Sequence, residues 1–207
     1  MTMRRSMLLA GAGALAITAL VARVALAEAP VSLTIARGRG DCSFDWVKEG
    51  VTFTPATPGR APRTFEVSDV KGTVTVDLTA PDPISFARSA TVEGSFKGGF
   101  TLKDAAGHFV EISEGKGSAP VGKGEFLVKT SADIEGTRMP VYTLRDASDA
   151  LDPSIVSVVP PKVKVNVLPI ETVLTYEFAQ TLNRAFGPGS ATAAEPFGIC
   201  SGKITTV

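Results

Sequence analysis

Over much of the chain, apolar and polar residues alternate one by one. Val74, Val76 and Leu78 alternate with Thr73, Thr75, Asp77 and Thr79, and Val163, Val165 and Val167 alternate with Lys162, Lys164 and Asn166. A period of two places every apolar side chain of a segment on one face, as in an antiparallel strand with one side buried. Further segments of this kind are 31–36, 50–54, 63–68, 90–96, 99–103, 108–112, 124–130, 139–144, 154–159, 170–174 and 198–206. Breaks fall at Pro55 to Pro62, Ala80 to Pro83, Gly115 to Gly124 and Pro160-Pro161. Proline removes ladder donors there and glycine permits turns. About a dozen short strands of this type predict an all-β fold, a sandwich or a barrel, with an antiparallel β-sandwich as the expected architecture.

One segment changes period. Phe178, Leu182, Ala185 and Phe186 stand at i, i+4, i+7 and i+8, one face of an α-helix. Thr175 is suited to cap its start, and Gly187 with Pro188 to end it. One short helix near the C-terminus is therefore expected to plug an end of the sandwich or cover a sheet edge. No linker or internal repeat divides the chain.

The amino terminus reads differently again. Arg4-Arg5, an apolar stretch from Met7 to Val21, and Ala25-Leu26-Ala27 before Glu28 have the order of a secretory signal with its cleavage site. The expected organisation is a signal peptide over 1–27 and one domain over 28–207. The apolar stretch is short for a spanning helix and Arg23 interrupts its far end, so the mature chain is expected to hold no transmembrane segment. Arg4-Arg5 followed by Ser6, Met7 and Leu8 also suits a twin-arginine exporter, and the two routes stay open. The expected location is secreted or extracytoplasmic, in the cell envelope.

Export alters the charge. The whole chain has 21 basic and 21 acidic side chains. Removing residues 1–27 takes Arg4, Arg5 and Arg23 and no acid, which leaves 18 against 21, a net charge of −3. That overall balance gives no strong pull toward nucleic acid or anionic lipid. The two cysteines, Cys42 and Cys200, lie near the ends of the mature chain, and an even count in an exported protein predicts a disulfide. The bridge requires the first and last strands to be neighbours.

Candidate chemistry is sparse. His108 is the single histidine, which excludes a metal site built from several histidines, and neither H-E-x-x-H nor G-x-S-x-G occurs. His108 reads as a strand-end residue beside a Gly107 turn. Gly117 to Lys123 matches the spacing of a phosphate-binding loop up to its lysine, but Gly124 follows in place of Ser or Thr, and a strand in place of a helix. It reads as a hairpin loop that binds no nucleotide. Asp146, Asp149 and Asp152 recur every third residue without the glycine and distal glutamate of a calcium loop, and read as a solvated acidic loop. Carboxylate pairs assembled from separate strands leave no local spacing to read. The expectation is a protein that is not an enzyme.

The second half carries a family pattern. Ile134 to Leu144 contains Gly136-Thr137-Arg138-Met139-Pro140-Val141-Tyr142, followed by Leu174-Thr175, Leu182-Asn183-Arg184-Ala185-Phe186-Gly187 and Pro196-Phe197-Gly198. With Gly98 to Leu102, this resembles secreted actinobacterial domains of the HtaA-like type over roughly residues 90–207. The resemblance implies a two-sheet β structure and, from the best-known members, extracellular haem binding through a tyrosine helped by a histidine. In those members the tyrosine follows a tryptophan near the domain start; here Trp46 is present, but residues 47–60 contain no tyrosine. Where relatives show H-x-G-G, this chain has Phe96-Lys97-Gly98-Gly99. The ligands left for haem are Tyr142, Tyr176, His108 or a methionine, and binding is expected to be weak or absent. Two functional classes remain: a secreted binding module for haem or another apolar ligand, and a structural or adhesive envelope domain without a small ligand.

Overall fold

The alternating segments form strands in the computed structural model, which describes residues 30–58, 61–145 and 147–207. The predicted signal peptide and Asp146 lie outside the described residues. In chain order the elements are β1 (Val31–Ser43), β2 (Val51–Pro55), β3 (Thr64–Val76), α1 (Pro83–Ser89), β4 (Thr91–Lys97), β5 (Phe100–Asp104), β6 (Phe109–Ala119), β7 (Lys123–Thr130), β8 (Asp133–Leu144), β9 (Leu151–Val158), β10 (Pro161–Leu174), α2 (Tyr176–Phe186) and β11 (Pro196–Thr206).

The chain is mostly antiparallel strand, as the alternation predicts, but several strands are longer than the segments that announce them. Segments 63–68 and 73–79 join as β3, whose ladder passes Asp69 at φ 49° and shifts register against β4 between Ser68 and Lys71. Segments 162–167 and 170–174 join as β10, with a register shift between Val167 and Ile170. β6 runs on to Ala119 past Glu114 at φ 50°. A bulge absorbs an extra residue and bends a strand without ending its ladder, so the alternation changes phase while the strand continues.

α2 follows the sequence reading closely. Thr175 Oγ1 accepts the Phe178 N–H at 3.3 Å, and the helix ends at Gly187, with φ 96°. A second short helix, α1, grows out of the predicted break at Ala80 to Pro83. Asp82 Oδ1 accepts from the Ile84 and Ser85 N–H groups at 2.9 Å each, and Pro83 takes the first helical position. Seven residues are too few to display a helical apolar period.

The hydrogen-bonded order is β2-β5-β6-β4-β3-β1-β11-β10-β8-β7, and β7 pairs with β6 as well. Eight strands (β6, β4, β3, β1, β11, β10, β8, β7) thus close on themselves in a sandwich-like ring. β5 and β2 extend from β6, and β9 from β10. β4 and β5 take successive stretches of β6, joined by the kink at Gly98-Gly99. A Cβ on Gly98 would lie 1.9 Å from the Glu66 carbonyl oxygen, and one on Gly99 1.9 Å from that of Ile112. Both also sit at positive φ, 139° and 151°, so only glycine fits this crossing of backbones.

Two cores fill the ring. One is rich in aromatic residues: Phe44, Trp46, Phe65, Phe100, Phe126 and Phe197 are buried with the inner face of α2. The other is built from aliphatic side chains, among them Leu33, Val74, Val76, Val163, Val165 and Ile204. The long strands β1, β3, β10 and β11 contribute to both. Cys42 and Cys200 face each other in register on β1 and β11 and form the predicted disulfide. Across a sequence separation of 158, the chain-entropy model assigns such a bridge about 4–5 kcal/mol, less any native strain.

Candidate ligand site in the strand ring

Where the two cores meet, the ring walls a cavity of about 140 Å³ that opens to solvent. Every one of its eight strands supplies lining residues, including Val67, Val92, Phe96, Tyr142, Val167 and Ile170. Planar rings pack on one side of this seam and branched aliphatic chains on the other, and the space between them is incompletely filled. Arg39, Lys123 and Lys203 are the charged residues of the lining; they alternate with inward-facing neighbours and are exposed, so their charges stand outside the wall.

Tyr142 is the polar group set deepest in that wall. β8 places it opposite Gly124 on β7, and its ring lies over that glycine, where a Cβ would come within 2.2 Å of the phenol. Gly124 is therefore the seat of the ring. Phe197 and Phe126 hold the ring from other sides, with centroids at 4.9 Å and 5.9 Å. Tyr142 is only 7% exposed, and its hydroxyl makes no hydrogen bond with any described residue. Among the described residues no sealed side-chain oxygen or nitrogen lacks a partner. The Tyr142 oxygen must therefore border open space, and the space beside it is the cavity. Burial pushes its pKa up from 10.0 to about 12, which keeps the phenol a neutral O–H donor at ordinary pH.

The other two candidate ligands lie elsewhere. Tyr176 opens α2 and is 67% exposed. His108 sits in the β5–β6 turn, where its Nδ1 and backbone N–H each bond to the Asp104 carboxylate at 2.8 Å. That contact holds the Asp104 carboxyl below its ordinary range. Tyr142, Tyr176 and His108 are thus not brought together, and the histidine serves the turn. The Gly117 to Lys123 segment ends β6 and opens β7 with no helix behind it; Gly117, Ser118, Ala119 and Lys123 instead line the cavity. Alternation did not mark them, because glycine and alanine carry little hydropathic signal. Asp149 pairs with the exposed Arg88 at 3.4 Å, and Asp152 accepts from Asn166 at 3.0 Å. No group of three or more His, Cys, Asp or Glu suited to a metal occurs among the described residues.

Haem does not fit this arrangement. A cavity near 140 Å³ matches the roughly 150 Å³ known to take benzene and falls below the about 300–1,000 Å³ of drug-sized pockets. A tyrosinate ligand needs its pKa lowered by a donor or a positive charge, whereas burial alone acts on Tyr142 and raises it. Trp46, at the place where the resemblance implies a haem-proximal segment, is a core residue: its Nε1 donates to the Ser190 carbonyl at 2.8 Å and its ring lies 6.0 Å from that of Phe186.

No family model and no curated protein sequence matches the chain. Among solved structures, the crystal structure of the C-terminal domain of HtaA from Corynebacterium glutamicum matches with a TM-score of 0.50 and 15% sequence identity, covering 84% of this chain and 99% of that one. The partial resemblance read over residues 90–207 is thus matched by a likeness of fold across most of the chain, and this protein shares its overall architecture with that HtaA domain.

Proposed function

We propose that this protein is an exported cell-envelope binding module that holds a small, largely apolar ligand in the strand ring, with the Tyr142 hydroxyl as its polar anchor. One observation carries the reading: a phenol that is nine-tenths buried, has no described hydrogen-bond partner and borders an apolar cavity. The hydroxyl borders open space, and a ligand acceptor there would make a hydrogen bond with it worth about 0.5–1.5 kcal/mol net. The cavity admits a body about the size of one aromatic ring. Export, suggested by the amino-terminal segment and consistent with the disulfide, places the ligand outside the cytoplasm. The module binds and does not catalyse, and haem is not its ligand at this site.

Acetophenone and toluene test the reading, since they share a ring and differ in the carbonyl that Tyr142 would satisfy. Titration followed by NMR shifts should show both perturbing Val92, Val167 and Ile170, with acetophenone the tighter. Tyr142→Phe should weaken acetophenone by about 2- to 10-fold and leave toluene unchanged. Absence of both from the cavity would favour a structural envelope domain without a small ligand. Haem titrated into the same protein should give no stoichiometric submicromolar complex.

A further inference from the structure

We propose that the end of the fold carrying the β9–β10 hairpin rests on a lipid bilayer surface. The strand registers bring several features to that end. Thr34, Val207 and the start of β10 lie side by side, because the Val207 N–H bonds to the Thr34 carbonyl and Lys164 pairs with Thr205. Val31, where β1 begins, lies three residues beyond Thr34, and the hairpin turn at Val159-Pro160 lies two to three residues beyond Lys162. At about 3.4 Å per residue and 4.8 Å per strand, the start of β1 and the hairpin tip are roughly 10 Å apart. The chain therefore enters β1 beside this tip.

The tip has the chemistry for lipid. Val156, Val158 and Val159 are 61%, 55% and 73% exposed, and Ile84 on α1, which packs along β9, is 64% exposed. Val121, in the β6–β7 loop at the same end, is 84% exposed. No acid occurs between Asp152 and Glu171, while Lys162 and Lys164 follow the turn directly. Apolar side chains backed by lysines are the pattern of a segment that enters the headgroup region and pairs with anionic lipid. At the same end Asp77 and Asp82 bind hydroxyl and N–H groups of the β3–α1 connection, through Thr79 and Ser85. The loops of the opposite end mix both signs, with Asp45, Glu49, Asp104, Asp133, Glu135, Glu177 and Glu195 beside Lys48, Arg63, Lys103, Lys129 and Arg184. Lys162 and Lys164 beside the exposed valines therefore favour an anionic surface at this end.

Flotation with vesicles of phosphatidylglycerol and phosphatidylcholine tests this, using the chain from Glu28 onward, which contains every described strand and helix. The protein should float with these vesicles and much less with phosphatidylcholine alone. Replacing both Val158 and Val159 by Asp should reduce the bound fraction about fivefold or more with an unchanged melting curve, and replacing Lys162 and Lys164 by Gln should remove the preference for the anionic lipid. A second pair of variants guards against a folding defect: Val159→Trp should shift its emission to the blue on vesicle addition, and Ile134→Trp, at the opposite end, should not. Three results overturn the proposal: no flotation, flotation unaffected by the Asp substitutions, or a dimer in light scattering that these substitutions dissolve with no lipid effect.

Discussion

The aromatic and aliphatic cores lie at opposite ends of the same long strands and are stabilised differently. At the aromatic end, large planar side chains are few per unit volume and interlock. Phe44 touches the rings of Trp46, Phe53, Phe100 and Phe197, with centroids between 4.4 and 6.0 Å, and α2 closes the end. At the aliphatic end, β-branched residues from facing strands fill the space, and Phe86 on α1 is the one aromatic among the described residues packed against it. Removing a single ring opens a large hole; removing a methyl group opens a small one. The comparison teaches where the site comes from: the two packing styles do not mesh, and the cavity marks their seam.

The comparison breaks most readily at Phe197, which is fully buried and touches Phe44, Phe65, Phe100 and Tyr142. Phe197→Ala should cost about 3–5 kcal/mol in denaturant unfolding, against about 0.5–1.5 kcal/mol for Ile204→Val in the aliphatic core. Equal losses at both sites would show that the two ends do not differ in packing. Next in size, replacing both Cys42 and Cys200 by Ala should cost about 2–5 kcal/mol. Because the bridge lies at the seam, amide exchange should rise in β1 and β11 toward both cores, and a rise confined to one core would place the seam elsewhere.

Much of this is legible in the sequence. Period two gave the strands, the Phe178–Phe186 spacing gave α2, and the cysteine count gave the β1–β11 neighbourhood. Less legible were the lengths of β3, β6 and β10, because Asp69, Glu114 and the Leu168-Pro169 bulge shift the phase of alternation without ending the strand. The ring closure through β6 and β7 depends on pairing between segments whose partners alternation does not name. Tyr142 stands out in the sequence as a residue, but its environment does not: what makes it notable is the glycine opposite and the space beside it. Both arise from register, and register is set by bulges and turns that a hydropathy pattern does not specify.

Tyr142 sharpens the comparison at the seam itself. Its hydroxyl has no described partner to lose, so Tyr142→Phe should change stability at neutral pH by no more than about 0.5 kcal/mol. In alkali the outcome differs. The folded pKa is about 12 against 10.0 for the unfolded phenol, so the folded state holds its proton longer. This contribution is fully present below pH 10.0 and is lost as the pH rises through about 12. Melting temperatures of wild type should therefore fall over that interval more steeply than those of Tyr142→Phe. Parallel curves would mean that the phenol is not desolvated and that the seam is open to water.

The smallest effect is expected where neither core takes part, at the Asp104–His108 turn. Both groups are on the surface, so water and salt screen their contact, and the turn should add little to either end. Its pH dependence has a definite sign. Hydrogen bonds from His108 hold the Asp104 carboxyl below its ordinary value of 3.8 when folded. A depressed carboxyl stabilises the fold above the unfolded pKa and loses that contribution as the pH falls through the folded one. Asp104→Asn should thus lie slightly below wild type in melting temperature at neutral pH, and the gap should close as the pH falls below 3.8. His108→Ala should give a similarly small gap and leave acetophenone titration unchanged, since the histidine does not line the cavity beside Tyr142. A large loss of ligand affinity in His108→Ala would tie this turn to the seam and undo the separation of the two ends on which the comparison depends.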